Sequence, residues 1–450
     1  MGLMMKIYLC ILSFISIMWA NESNNATQMH NIESYMKLAR ENYPLYKNTQ
    51  LLDKALALSL TQLNMHFIPH LRFSGKASYQ SEVTTLPFTA LNNFSFDYKP
   101  LNKDQYQFVL ELAQPVLDMG HFAKKDSIKA QYATQKADVS ISLYKIGQSV
   151  INQFFALALI NEQISQNEIH IEELNKNLKN LNVLYRNGAI EKEALSKINI
   201  EILNAQKIAQ ELQSQKEVVI NTLSLLTAYQ VSDNPLLPDF EEQKEFLQSV
   251  QHYIQEENIK DSVFTYRPEN IFFALKDLEI RTQKKLENAK NLPYIDLFVQ
   301  GGYANPGLNF LKGAFSSYYI AGVRINWDFS NLYSKSQQNE LIKNQSLRLN
   351  AQKEEFNLNN KITLNKHIKD TNNLLMQMKE NDEIVALRES ILRTQEVKLR
   401  NGMLSINDFI TDINNLNLAK LQQNYTKIEF LMQIYNIKQI LNVWHYDEAQ

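Results

Sequence analysis

Three sets of residues in this chain have types and spacings that could do chemistry: eight histidines, two acids near the C-terminus, and two Arg-Asn-Gly tripeptides. The histidines stand at positions 30, 66, 70, 121, 170, 252, 367 and 445. Only His66 and His70 have the i, i+4 spacing that sets two imidazoles on one helix face for a metal ion. Pro69 interrupts that spacing where a strand pattern begins, so no metal site is expected there. Neither a nucleophile elbow nor a phosphate-cradling glycine loop occurs, and Gly301-Gly302 lies in a strand pattern. The chain is therefore not expected to be an enzyme or to carry a cofactor.

Asp408 and Asp412 are four residues apart, which puts both carboxylates on one helix face. Repeated by rotational symmetry in an oligomer, each would become a ring of carboxylates that attracts cations and repels itself. Asp408 has an equally good local role, since Ser405 to Asp408 has the spacing of a capping box at a helix start. The tripeptides Arg186-Asn187-Gly188 and Arg400-Asn401-Gly402 read as helix ends, where glycine accepts the left-handed conformation.

Such residues need elements to hold them. Between Pro115 and Pro235 there is no proline, and the glycines are Gly120, Gly147 and Gly188 alone; no proline follows Pro306, and no glycine lies between Gly322 and Gly402. Helix breakers absent over such lengths imply long helices. Leu143, Val150, Leu157, Ile164, Ile171, Leu178 and Tyr185 recur every seven residues, the seam of a coiled coil. Ile198, Ala205, Leu212, Val219 and Leu226 keep the same period, so the chain is expected to turn near Gly188 and pack back antiparallel. Leu364, Thr371, Met378, Val385, Leu392 and Leu399 repeat the pattern less perfectly in the C-terminal half. A helix from His121 to Asn187 would be on the order of 100 Å long at about 1.5 Å per residue.

Ahead of each helical region lie two stretches of period two, expected as strands at about 69–84, 103–118, 293–304 and 317–329. Leu71, Phe73, Gly75, Ala77 and Tyr79 alternate with Arg72, Ser74, Lys76 and Ser78, and each stretch has bilayer-spanning length. Aromatic residues and turn formers fill the connections: Phe88, Phe94, Phe96 and Tyr98 in one, Asn305, Pro306, Gly307, Phe310 and Phe315 in the other. Four strands cannot close in lipid, where open edges are not tolerated, so an oligomer is implied. A dimer would supply about eight strands around a filled interior and a trimer about twelve around a pore. Two soluble hairpins on a small sheet, or a coiled-coil scaffold or adhesin, are the rival readings; the second leaves the strand pairs unexplained.

Residues 1–20 join a short basic start, an apolar run Ile7 to Trp19 and Ala20, the pattern of a cleavable secretory signal. Cys10, the single cysteine, falls inside it, so the mature chain is expected to contain no disulfide and no thiolate metal site. Removing Lys6 with the signal takes the net charge from -2 to -3, which does not favour nucleic acid. No later run is long and apolar enough for a helical membrane span.

The halves align as a tandem repeat. Tyr43-Pro44 precedes Pro69 as Arg267-Pro268 precedes Pro293, Val116-Leu117-Asp118 answers Asn326-Trp327-Asp328-Phe329, and the two Arg-Asn-Gly turns correspond. The expected organisation is a first repeat over 21–230 with its hairpin at about 120–230, an inter-repeat linker over 231–266, a second repeat over 267–442 with its hairpin at about 330–442, and a tail over 443–450. The linker, the segment Asn31 to Tyr43 and the final residues are expected to form a belt around the helices.

On these landmarks, with Arg267-Pro268-Glu269, Leu112 to Gly120 and Asp408-Phe409-Ile410, the chain resembles the TolC family of outer-membrane efflux proteins. The resemblance implies a mainly helical fold with a membrane β-barrel portion: a homotrimer whose barrel in bacterial outer-membrane lipid continues as a helical tunnel across the periplasm. It implies an export channel for drugs or other small molecules, or for secreted proteins, working with a periplasmic adaptor and an inner-membrane transporter. It places Arg186, Asn187, Gly188, Arg400, Asn401 and Gly402 at the adaptor-contacting tips and Asp408 at an acidic gate. A second gate acid would fall at Thr411, so Asp412 is one residue out of register. Leu399 and Leu404 stand where some relatives carry a gate tyrosine and arginine, and the first-half counterpart of Asp408 is Ala194, with Glu191 and Glu193 nearby.

Overall fold

The computed structural model describes residues 31–83, 101–188, 190–257, 260–309, 312–401 and 403–444. The expected signal, Phe88, Phe94, Phe96, Tyr98, Phe310, Gly402 and most of the tail lie outside the described residues.

Among the described residues twelve longer elements follow one another: α1 (Ile32–Asn42), α2 (Tyr46–Asn64), β1 (His70–Tyr79), β2 (Asp104–Asp118), α3 (Met119–Arg186), α4 (Lys192–Thr227), α5 (Phe240–Glu257), α6 (Pro268–Ala289), β3 (Tyr294–Asn305), β4 (Ser316–Asn326), α7 (Asn331–Arg400) and α8 (Ile406–Leu441). Helix, two strands, a helix of 68 or 70 residues and a return helix of 36 thus occur twice in the same order. The chain divides into two compact units, one of Met1–Thr49, Ala137–Ile271 and Gln352–Gln450, the other of Gln50–Lys136 and Phe272–Ala351.

The second unit holds a sheet in the order β1-β2-β3-β4, every pair antiparallel. Two strands end sooner than the sequence pattern suggests. β1 stops at Tyr79, beyond which the Gln80 and Gln105 side-chain amides pair reciprocally at 3.0 Å. β4 stops at Asn326 because the Asp328 carboxylate accepts the Ser330 backbone N–H (2.8 Å) and hydroxyl (2.6 Å), which turns the chain into α7. Those bonds also hold the Asp328 carboxyl below its ordinary pKa. Asp118 acts alike at the start of α3, accepting the Gly120 N–H at 2.8 Å, so the two halves repeat a bond as well as a pattern.

Two apolar clusters organise the first unit. The larger gathers Ile32, Tyr35, Met36 and Ala39 of α1, Val150 to Ala158 of α3, Leu223 of α4, Leu364 and Ile368 of α7, and Phe430 to Ile440 of α8. Val231, Leu247 and Phe264 of the inter-repeat segment lie in it too. The smaller joins Leu174 and Leu181 of α3, Ile198, Ile202 and Ala205 of α4, Leu399 of α7 and Phe409, Ile410 and Ile413 of α8. All four long helices therefore share one core near their turns.

The seven-residue seam is kept only in part. Leu143, Val150 and Leu157 are buried, but Ile164, Ile171 and Leu178 are half-buried and Tyr185 is exposed, while Leu174, Asn177 and Leu181 take the interior positions. An α-helix turns every 3.6 residues, so a strict repeat of seven drifts around a straight helix. Polar side chains fill the drifting positions and bond across helices: Gln166 to Asn417 (3.1 Å), Asn167 to the Ala205 carbonyl (2.9 Å) and Asn424 to Glu162 (2.6 Å).

Candidate functional site

Two regions carry the features that function can use: the four-stranded sheet and the helical turns.

The alternation of the strands sorts their side chains cleanly. Leu71, Leu112, Val299 and Ala321 stand in one cross-strand row, and Phe73, Leu110, Gly301 and Tyr319 in the next. This face is uncovered: Phe73 is 69% exposed, Val323 62% and Tyr319 81%. An apolar face of this extent left open is the mark of a surface meant for lipid or a partner. The opposite face carries Arg72, Lys76, Gln107, Glu111, Asp296, Gln300 and Arg324. Arg324 reaches Asp296 on the adjacent strand (3.6 Å) and Glu111 one strand farther (3.2 Å), lying over the Phe298 ring at 4.5 Å. These charges tie three strands together on the polar side.

At the end of the sheet, the short 3-10 turn Met65–Phe67 sets the His66 ring 6.1 Å from His70 and 6.4 Å from His121 at the head of α3. His66 Nε2 is 3.0 Å from Asp118 Oδ2, and His70 Nε2 lies 3.2 Å from the His66 carbonyl. His121 is buried against Phe67, its Nδ1 has no hydrogen-bond partner among the described residues, and burial pushes its pKa below the ordinary value, against the pull of Asp118. The sequence showed the His66 and His70 spacing but not His121 or Asp118, which only the strand-to-helix passage brings alongside.

At the first helical turn Gly188 has φ of +71°, and its N–H bonds the Tyr185 carbonyl at 3.0 Å, as expected for a left-handed cap. Arg186 and Asn187 beside it are exposed. At the second turn the Met403 N–H reaches back five residues to the Lys398 carbonyl (2.9 Å), the bond that closes a Schellman cap. Arg400 and Asn401 are exposed there.

Asp408 is exposed in the first turn of α8, and its backbone N–H donates to Ser405 Oγ at 3.3 Å. Asp412, one turn on, is half-buried. The side chain and the cap thus involve different atoms of Asp408: the carboxylate is turned outward while the backbone makes the cap. Leu399 and Leu404 pack into the apolar cluster of the turns, and Ala194, the counterpart of Asp408, is buried. Glu193 beside it is held by Lys197 at 2.6 Å, which lowers its pKa.

Arg267, noticed in the sequence only as part of a motif, is a buried hub. It grips Glu269 with two bonds (Nε to Oε2 3.0 Å, Nη2 to Oε1 2.8 Å) and sends Nη1 toward the Gln439 and Ile440 carbonyls and the Tyr144 hydroxyl. Its guanidinium also lies over the Tyr144 ring at 4.7 Å. A lone Arg-Pro-Glu gives no sign of what it meets more than a hundred residues away.

A mainly helical chain with paired long hairpins and a four-stranded antiparallel sheet defines the fold of TolC-like outer-membrane channels. Known structures agree. The outer-membrane channel CmeC of Campylobacter jejuni superposes with a TM-score of 0.63 at 14% identity, over 92% of this chain and 85% of CmeC. The Vibrio cholerae outer-membrane protein VceC gives 0.65 at 12% identity over 91% and 95% of the two chains, and CusC gives 0.68 at 12% over 91% and 92%. No protein-family model matches the chain, and no curated protein matches it in sequence. The resemblance read from the sequence is therefore borne out in the fold.

Proposed function

We propose that this chain is an export channel of the bacterial outer membrane, made as a homotrimer whose barrel lies in lipid and whose helical tunnel extends into the periplasm. The observation that carries this reading is the two-faced sheet, apolar and exposed on one side, charged on the other, with β1 and β4 as edges that no strand among the described residues pairs. Open edges have no place in lipid, and three copies of four strands would close them into a barrel of twelve. Among the described residues no helix is long and apolar enough to cross a membrane, so strands are the spanning element in this reading.

The residues 1–20 would direct export to the periplasm and be removed there. Arg186, Asn187 and Gly188 and Arg400, Asn401 and Gly402 would contact a periplasmic adaptor, which links the channel to an inner-membrane transporter. Asp408 and Asp412 would ring the periplasmic mouth as a gate, while Leu399 and Leu404 would brace it from inside the helical core. Small molecules such as drugs are the cargo this reading favours; a secreted protein, as in type I secretion, is the variant of it. Purified mature protein in a planar bilayer should give discrete conductance steps, and a silent bilayer at protein levels that insert would count against the proposal.

A further inference from the structure

We infer that α4 of one copy packs against α7 of a second copy of this chain, with Leu203 beside Ile391 and Val218 beside Met376. Each of these helices already has one side in the core: Ile198, Ile202 and Ala205 of α4 and Leu364, Ile368 and Val385 of α7 are buried. At 3.6 residues per turn, Leu358, Ile362, Met376, Ile384, Leu387 and Ile391 fall on the opposite side of α7. Ile200, Leu203, Ile208, Val218 and Leu225 likewise lie off the buried side of α4. These two stripes are open: Leu203 is 64% exposed, Val218 63%, Met376 60% and Leu387 58%. A helix that is apolar on two sides has room for a second neighbour.

The register follows from bonds inside the chain. Asn167 of α3 reaches the Ala205 carbonyl of α4 (2.9 Å), Gln166 of α3 reaches Asn417 of α8 (3.1 Å), and Gln423 of α8 reaches Asp382 of α7 (2.6 Å). Followed from helix to helix, these bonds set Ala205 level with Glu389 along the helix direction. The bonds from Asn424 to Glu162 and from Asn381 to Thr426 give the same level to within one residue. Since α4 and α7 run in opposite directions, Leu203 is then level with Ile391, Val218 with Met376, and Ile208 with the residue before Leu387. Rotation about an axis along the helices leaves every residue at its own level in each copy, so the register carries over to a contact between copies. Nothing about a partner of another sequence would require two stripes whose apolar residues match in level. Glu211 and Glu383 also come level, and Glu211 is countered by Lys207 of its own helix at 3.7 Å. The inference rests on the trimer of the proposed channel and supplies the helical contact that would close it.

Disulfide trapping in the mature protein tests the contact against a clean background, since Cys10, the single cysteine, lies in the expected signal. Leu203→Cys combined with Ile391→Cys, and Val218→Cys combined with Met376→Cys, should oxidise in detergent to linked species that end at three chains and return to one on reduction. Leu203→Cys combined with Met376→Cys, out of register by about 22 Å, should give at least about tenfold less, because Cα atoms more than about 7 Å apart cannot be bridged. Leu203→Cys alone should be shielded from a bulky maleimide in the assembled protein and labelled in SDS. All four side chains are exposed in one copy, so the substitutions leave its core intact. Equal yield from both registers overturns the contact, and so does labelling of Leu203→Cys in the assembled protein, which would leave the stripe to another partner or to solvent. A trimer captured by lysine cross-linking in which neither in-register pair oxidises refutes this contact alone. Absence of any trimer refutes the trimer reading, and the contact with it.

Discussion

Arg267 and Glu269, two residues apart at the start of α6, form a bidentate ion pair at 2.8 and 3.0 Å with side chains only 10% and 13% exposed. The pair does not stand alone, because the same guanidinium reaches carbonyls at the end of α8 and the Tyr144 hydroxyl of α3. Removing one partner of a buried pair leaves the other charge uncompensated, which costs about 3–5 kcal/mol. Arg267→Ala should therefore lower the apparent unfolding midpoint sharply in circular dichroism. Arg267→Lys should recover little, since one ammonium cannot replace a planar fork.

Asp408→Ala separates two roles that act through different atoms. The cap bond from the Asp408 backbone to Ser405 survives the substitution, whereas the exposed carboxylate is lost. In the assembled channel the variant should raise single-channel conductance and weaken block by multivalent cations. Ser405→Ala should do the reverse, costing about 1 kcal/mol of helix stability and sparing conductance. Equal conductance and equal block in Asp408→Ala and the parent would leave Asp408 no part in a gate.

Gly188→Ala measures the turn. A Cβ at Gly188 would meet nothing within 4 Å, so the penalty is purely the left-handed backbone at φ +71°. Thermal unfolding should show a loss of about 1 kcal/mol. A loss of adaptor-dependent export far beyond that stability change would show that the turn is a contact surface, and an export defect in proportion to stability would show that it is not.

His170 gives the helical core a pH dependence. Burial between the helices holds its pKa below the ordinary value, with Glu201 pulling the other way. Because the unfolded chain then binds the proton more readily, its contribution to stability is complete above about pH 6.5 and is lost as pH falls below it. His170→Leu should narrow the drop in unfolding midpoint between pH 7.5 and pH 5.5. Identical drops in variant and parent would contradict this.

The large elements were legible because they follow from repetition: breaker-free stretches gave the helices, and faultless alternation gave strands such as Leu71 to Tyr79. Their ends were less so, since β4 stops where Asp328 captures Ser330, a local bond that no period announces. The Gly188 cap was readable from residue type and the outward Asp408 side chain was not, because Asp408 suits a cap and a ring equally well in sequence. Arg267 and the histidine group were missed for one reason: their partners, Gln439 in one case and His121 in the other, are adjacent only after folding.

Chemical cross-linking of the mature protein in detergent tests the central claim most directly. A closed trimer predicts a ladder that ends at three chains and does not grow with protein concentration. A ladder that stops at one or two would contradict it.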